Sequence, residues 1–304
     1  MFKPSGSWVA IPTPYNENGD VDFGGFKEII DHQIAYGTSE LFVTGSAGEV
    51  TLLTQEERKS IVKEVIKMTK GRIPVFFNAS QSSTADTVKF AQFAAAEGAD
   101  GVIFTVPPYL LPPQTAVLEH MRTCMKSVSI PVGVYNNPSR LGVNLEPETL
   151  ETLVNEIPNF IVDKEAMPNV AQLVEVKRRV GDKLNILCCD FPKYSIVLPT
   201  LAIGGNGTAN IGGNIIPEEM ALISRPWDSI EKIEECRALY FKYYPLLKAL
   251  YWFSNPIVIK AALKILGLPA GGIRRPYPEL EGKKLAELKE IMDELGVTEK
   301  YGRK

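Results

Sequence analysis

Histidine and cysteine are scarce in this chain: 304 residues hold only 2 His and 4 Cys. Histidine is the usual general base and the commonest metal ligand at neutral pH, so metal-assisted and histidine-based chemistry have little to build on. His32 and His120 fall inside amphipathic patterns, DFGGFKEIIDHQIAYG and PPQTAVLEHMRTCMKSV, and read as ordinary helix residues. Cys188 and Cys189 are adjacent while Cys124 and Cys236 stand alone, so no CxxC or HxxxH spacing exists to hold zinc. The expectation is no zinc site, and buried free thiols in a reducing compartment. Basic blocks are missing too: Lys+Arg 33 against Asp+Glu 36 gives a net charge of -3, which argues against nucleic acid as a partner. No apolar run approaches the roughly 20 residues of a membrane span. The start, MFKPSGSWVAIPTP, lacks the long apolar core of a secretion signal. A soluble cytoplasmic protein is expected, and any acid–base chemistry falls to Lys, Tyr, Ser, carboxylates or backbone amides.

What the chain does have is a repeating alternation of short apolar runs and longer amphipathic segments. Eight runs read as strands: SWVAIPTP (7–14), ELFVTG (40–45), IPVFFNAS (73–80), GVIFTVP (101–107), PVGVYNNP (131–138), FIVDKEA (160–166), LNILCCD (184–190) and GTANIGG (207–213). Between them lie helical patterns. Thr54-Gln55-Glu56-Glu57 is a capping-box signature opening a segment to Lys70 before Gly71, and Ser83 opens another that Gly98 ends. Nearly continuous apolar strands, each followed by a helix, imply a parallel sheet covered on its outer face. Eight such units close into an α/β fold, a (β/α)8 TIM barrel. An open doubly wound sheet is the alternative, but GGNGTANIGG (204–213) matches neither the dinucleotide nor the P-loop glycine pattern. Residues 1–223 are therefore read as the barrel and 224–304 as a C-terminal helical region, with RRPYPEL (274–280) an ordered connector before the last helix.

A barrel of this kind carries its chemistry at the C-terminal ends of its strands. Lys164 in FIVDKEA is the first polar residue to ask about: alternation places Phe160, Val162 and Lys164 on one face and Ile161, Asp163 and Glu165 on the other. Facing inward, the ammonium is desolvated and its pKa falls, leaving an amine able to attack a carbonyl carbon; facing outward, it snorkels to water. Tyr135 in the preceding strand is either a proton shuttle beside that amine or a core tyrosine. In Gly45-Ser46-Ala47-Gly48-Glu49, glycines on both sides allow a tight turn whose Ser46 and Ala47 amides can donate to a small anion. Arg140 offers a carboxylate clamp, or a rim salt bridge, and Pro107-Pro108 fixes the direction of Tyr109.

GSAGE (45–49), PPY (107–109), YNNPSRLG (135–142), DKEA (163–166) and GGNGTANIGGN (204–214), in this order and over nearly the whole chain, resemble the dihydrodipicolinate synthase and N-acetylneuraminate lyase family of class I aldolases. The resemblance implies that Lys164 forms a Schiff base with pyruvate or another 2-keto acid. Tyr135 is then the proton shuttle, in a relay with Ser46 and Tyr109. It further implies that Tyr109 completes the site of a neighbouring subunit, in a homodimer or homotetramer. Ser46 and Ala47 would hold the pyruvate carboxylate, with Ala209 on the last strand also lining the substrate, and Arg140 would bind the carboxylate of aspartate semialdehyde. No metal or cofactor is implied, since the enamine on Lys164 stores the electrons.

Several positions depart from the family. Ala47 stands where synthases usually carry a second hydroxyl residue, Cys188-Cys189-Asp190 replaces a serine–glycine pair, and Asp163 precedes the lysine where an apolar residue or a lysine is common. Pro108, Gln55 and Arg58 fail to match the lysine feedback site. The first expectation is dihydrodipicolinate synthesis from pyruvate and aspartate semialdehyde. Cleavage or dehydration of a 2-keto-3-deoxy sugar acid and cleavage of N-acetylneuraminate are the alternatives within the family. From another class, a non-catalytic barrel acting as sensor or scaffold would be expected to have lost one of Lys164, Tyr135, Ser46 and Tyr109.

Overall fold

All eight expected strands form, shorter than the apolar runs that announce them. A computed structural model describes residues 4–190 and 194–303. The strands are β1 (Gly6–Ala10), β2 (Glu40–Val43), β3 (Val75–Asn78), β4 (Gly101–Phe104), β5 (Val132–Asn136), β6 (Phe160–Glu165), β7 (Asn185–Cys189) and β8 (Gly207–Asn210). They follow one another in sequence order around a closed barrel, and the recorded pairings are parallel. The chain is a (β/α)8 barrel with a helical C-terminal region. Strand ends are trimmed where prolines or glycines remove ladder donors or bend the chain: β1 stops before Pro12, and β8 passes into a short 3-10 turn at Gly212–Asn214.

Local sequence chemistry sets the helix boundaries. The helix Gln55–Thr69 begins with a full capping box, Thr54 accepting from the Glu57 amide and Glu57 accepting from the Thr54 amide. Ser83 caps Thr84–Glu97, and Gly98 ends it at φ 98°. His32 and His120 sit in Phe23–Ala35 and Gln114–Lys126. His120 is buried, with its Nδ1 2.8 Å from the Thr84 hydroxyl.

Two compact units are distinguished by their internal contacts, and neither coincides with a simple cut near residue 223. One joins the start of the chain, up to Ser5, to Val75–Ala209; the other joins Gly6–Pro74 to everything from Asn210 onward. In the first, Phe104, Val134, Val162 and Leu187 are buried strand residues, and Phe90, Met121, Leu150 and Leu173 are buried on helices. In the second, Trp8 and Phe42 pack with ring centroids 5.5 Å apart. Here Glu219 ties three helices together: it accepts from Tyr243 at 3.2 Å on Ile230–Ala249, and from Lys300 at 2.8 Å and Tyr301 at 2.6 Å on Val297–Tyr301. No helix among the described residues is long and apolar enough to cross a membrane.

One irregularity positions the site. Val132 lies opposite Phe160, but Gly133 lies opposite Val162, so β6 carries one extra residue, Ile161, against β5. A bulge of this kind resets which side chains face each other beyond it. Past the bulge, Tyr135 stands opposite Lys164 and Asn136 opposite Glu165.

Candidate active site

Within the unit built on Val75–Ala209, Lys164 is 4% exposed and its Nζ lies 4.6 Å from the centre of the Tyr135 ring. Of the two orientations open to Lys164, burial excludes the side chain snorkelling to solvent. Burial holds the amine below the ordinary lysine value; Cys189 and Asp190 push it back up, and Arg140 lowers it further. The same surroundings act on Tyr135. Burial raises its hydroxyl well above the usual tyrosine value, Cys189 adds to the rise, and Arg140 and a hydrogen bond from Asn137 oppose it. Arg140 belongs to the short helical turn Pro138–Leu141, three residues beyond the Asn137 that caps it. Ala209 pairs with Cys189 across the β7–β8 ladder. Lys164, Tyr135, Arg140 and Ala209 are thus gathered in one unit, and their neighbours Asn137 and Cys189 come with them.

The outer face of β6 carries a second pair of titratable groups. Asp163 and Glu165 are both fully buried. Glu165 accepts from Asn136 at 3.1 Å, the Met167 amide at 2.7 Å and Gln172 at 3.2 Å, whereas neither carboxyl oxygen of Asp163 has a hydrogen-bond partner among the described residues. Desolvation, with the Glu165 charge second, holds the Asp163 carboxyl well above the carboxylate range, and burial lifts Glu165 to about 7. Burial of a carboxyl without donors disfavours its charged form, so the interior favours Asp163 as the neutral acid.

Tyr109 lies in the same unit yet does not join the buried cluster: it is 94% exposed, has φ 74°, and is followed by the exposed Leu110 and Leu111. Ser46 and Ala47 belong to the other unit. Their turn is closed by the Glu49 amide on the Ser46 carbonyl and the Val50 amide on the Gly45 carbonyl, which leaves the Ser46 and Ala47 amides outside the turn's own bonds. The flanking glycines serve differently from expectation. Neither has a positive φ; the left-handed residues are Thr44 and Glu49, each at 56°. Gly45 and Gly48 are required by space, since a Cβ would come 2.5 Å from the Phe42 ring and 3.2 Å from the Thr44 backbone respectively.

That turn is anchored through its last residue. Glu49 is fully buried with its Oε1 2.6 Å from Lys260 Nζ, and its Oε2 accepts from the Arg274 amide at 3.1 Å. Lys260 also donates to the Gly272 carbonyl at 2.7 Å and lies 4.2 Å from the centre of the Tyr15 ring. Arg274, in the connector expected to be ordered, lies 4.3 Å from that centre and pairs with Glu57. A cavity of about 310 Å³ opens nearby among Ile257, Lys260, Lys264, Gly272, Glu279 and Leu285, and contains none of the candidate residues.

The sequence reading missed Asn137, Cys189 and the Glu49–Lys260 pair. Asn directly before Pro is a cap signal, and strand alternation brings Cys189 to the face of its neighbours' polar residues, so the first two were within reach. The pair spans segments too far apart in sequence for any local pattern to join.

Comparison with known proteins identifies the family. The model of the dihydrodipicolinate synthetase family matches residues 3–295. A protein named 4-hydroxy-tetrahydrodipicolinate synthase from Methanocaldococcus jannaschii is 34% identical over 298 residues, covering 98% of this chain and all of that one. One of the same name from a Thermoanaerobacter species is 33% identical, covering 98% of both. Among solved structures, the dihydrodipicolinate synthase of Aquifex aeolicus superposes with a TM-score of 0.92 at 30% identity, covering 97% of this chain and 99% of that one. The chain belongs to the dihydrodipicolinate synthetase family.

Proposed function

We propose that this protein is a Schiff-base lyase of the class I aldolase type that condenses pyruvate with aspartate semialdehyde, a 4-hydroxy-tetrahydrodipicolinate synthase. The observation that carries the reading is the buried Lys164 amine set over Tyr135 on adjacent, in-register strands. An amine whose pKa is lowered by burial is a competent nucleophile toward the keto carbon of pyruvate. Tyr135 supplies and removes the protons of carbinolamine formation and dehydration, with Ser46 in the relay. Pyruvate's carboxylate is assigned to the Ser46 and Ala47 amides, Ala209 lines the substrate, and Arg140 clamps the carboxylate of the second substrate. The names of the relatives support the choice of reaction.

Tyr109 acts in a second copy of the chain. An aromatic tip with left-handed backbone, 94% exposed and continued by two exposed leucines, is apolar surface that a homodimer or tetramer would cover. The enzyme works in the cytoplasm on small molecules, without metal or cofactor. Incubation with pyruvate and borohydride is expected to leave a permanent mass increase on Lys164; folded protein without that adduct would sink the mechanism, leaving the sensor or scaffold reading.

A second reading rests on Ala47. It is wholly buried and brings no hydroxyl to its turn, which suits a 2-keto-3-deoxy sugar acid as substrate. Turnover of aspartate semialdehyde, 2-keto-3-deoxygluconate and N-acetylneuraminate side by side decides between them.

A further inference from the structure

The acid–base tyrosine is surrounded by hydrogen bonds whose directions can be assigned one by one. Asn137 is the key. Its Oδ1 accepts from the Arg140 amide at 3.2 Å, as the cap of Pro138–Leu141, and from the Ser139 hydroxyl at 2.8 Å. Both partners there are donors, so the oxygen end of the amide is fixed and the NH2 end must face the other way. It faces Tyr135: Nδ2 lies 2.7 Å from the phenolic oxygen. The phenolic oxygen is therefore an acceptor toward Asn137, and its own proton points elsewhere.

On the far side of the hydroxyl lies Cys189 Sγ at 3.6 Å, and that thiol donates to Asp190 Oδ1 at 3.5 Å. With the thiol proton directed at Asp190, the sulfur accepts from Tyr135. A single ordered chain results, running from the Arg140 amide through Asn137 and Tyr135 to Cys189 and Asp190. Asn137 is fully buried and Tyr135 nearly so, and water competes poorly for these bonds. The charged and titratable groups around Tyr135 are Lys164 from β6, Arg140 from the turn after β5, Cys189 from β7 and Asp190 directly after it.

We propose that Asn137 is a positioning residue of the reaction, holding a fixed donor on the Tyr135 oxygen so that the charge developing there is stabilised when the phenolic proton is given up. The inference rests on the reading of Lys164 as the Schiff-base lysine. In the dehydration step the Tyr135 O–H bond breaks and its proton goes to the carbinolamine hydroxyl. The C–O bond then breaks, water leaves, and the carbon–nitrogen bond to Lys164 becomes the protonated imine. The phenolate left behind faces the Asn137 N–H, a preorganised donor of the kind that stabilises transition-state charge. A sulfur at 3.6 Å is a weak enough acceptor to release that proton to substrate. A valine or other apolar side chain at this position would supply no such donor.

Two roles of Asn137 must be separated, because it also caps a helix. Serine and aspartate are good caps that accept the Arg140 amide, but neither places an N–H on Tyr135. Asn137→Ser, Asn137→Asp and Asn137→Val are compared with the full-length wild type in single-turnover imine formation with pyruvate, trapped by borohydride, and in steady-state kinetics across pH. All three are expected to lose on the order of 100-fold in kcat, with the KM for pyruvate nearly unchanged. In Asn137→Ser the alkaline limb of the pH profile should also move upward, because the tyrosine has lost a bond that favours its ionised form. Restoration of wild-type kinetics by the serine and aspartate variants, with loss only in the valine variant, would reduce Asn137 to a helix cap and overturn the proposal. An unshifted alkaline limb in Asn137→Ser would overturn it as well. A wild-type protein that forms no adduct on Lys164 fails at the underlying reading instead, so the two failures are distinguishable.

Discussion

Two lysines in this molecule are almost identically buried, and each lies over a tyrosine ring: Lys164 at 4.6 Å from Tyr135 and Lys260 at 4.2 Å from Tyr15. Their neighbours differ. Lys260 Nζ has a carboxylate at 2.6 Å and a carbonyl at 2.7 Å. Burial still drags it down to about 8, against the upward pull of Glu49. Lys164 is accompanied by Arg140, a second cation, and by a thiol and a tyrosine hydroxyl that can exchange protons. Burial over an aromatic ring is therefore not what makes a lysine a nucleophile. The partner set decides: one amine is committed to holding a turn in place, and the other is desolvated beside a cation that lowers its pKa and beside groups that can move protons.

The largest effect should come from the nucleophile itself. Lys164→Ala is expected to abolish the borohydride adduct and turnover while leaving the melting temperature near that of the wild type, since it removes a desolvated amine. Lys260→Met should do the reverse, costing about 3–5 kcal/mol of stability by stranding Glu49 in the interior, with the adduct still forming on protein that remains folded. Loss of the adduct in Lys260→Met but not in Lys164→Ala would invert the assignment. Adding Glu49→Gln to Lys260→Met should recover much of the stability.

Arg140→Ala tests the cation beside Lys164. Loss of a charged hydrogen bond to the second substrate, about 1.5–3 kcal/mol, should raise the KM for aspartate semialdehyde far more than that for pyruvate. The pH optimum for imine formation should move upward as Lys164 regains basicity. Equal weakening of both substrates would remove Arg140 as a clamp.

Asp163 and Glu165 extend the contrast to carboxyl groups. Glu165 has a folded-state value of about 7 against an ordinary 4.5. Between those values the folded chain holds more protons than the unfolded one, so this site makes stability fall as pH rises through that window, and the penalty is fully present above it. Asp163→Leu removes the donor-less acid that crowds it, and should raise stability by about 1–3 kcal/mol, more at pH 8 than at pH 5. Thermal melts at the two values check the sign; an equal gain at both would mean the pair is not titrating. The smallest effect is local. Thr54→Ala and Ser83→Ala remove one cap from each compact unit and should cost about 1 kcal/mol apiece, because caps, unlike the lysines, have the same surroundings in both places.

Much of this was legible beforehand. Eight strands, the Thr54 capping box and the Gly98 stop were readable because each depends on residues within a few positions of one another. Lys164 and Tyr135 were readable as well, as polar residues in otherwise apolar strands. The amide direction of Asn137 was not, since it is settled by Ser139 and Arg140 donating to one end of the side chain. Asp163 was placed on the face opposite Lys164, but its lack of partners is a property of packing. Gly45 and Gly48 were correctly read as necessary for the wrong reason, because the crowding by Phe42 and Thr44 that demands them is invisible to a pattern of turn residues.

The extra residue at Ile161 has a consequence of its own. Chemistry at this strand is specified by counting as much as by residue type. Were the ladder to run on from Phe160 without the bulge, every functional group in the chain would stay intact, yet Ile161 would lie opposite Gly133, Asp163 would come opposite Tyr135 and the amine would turn to the helices. An acid would occupy the place of a nucleophile. A one-residue slip of register in this strand is therefore a switch of reaction class, and a relative that has lost its activity by such a slip would still display all of the motifs.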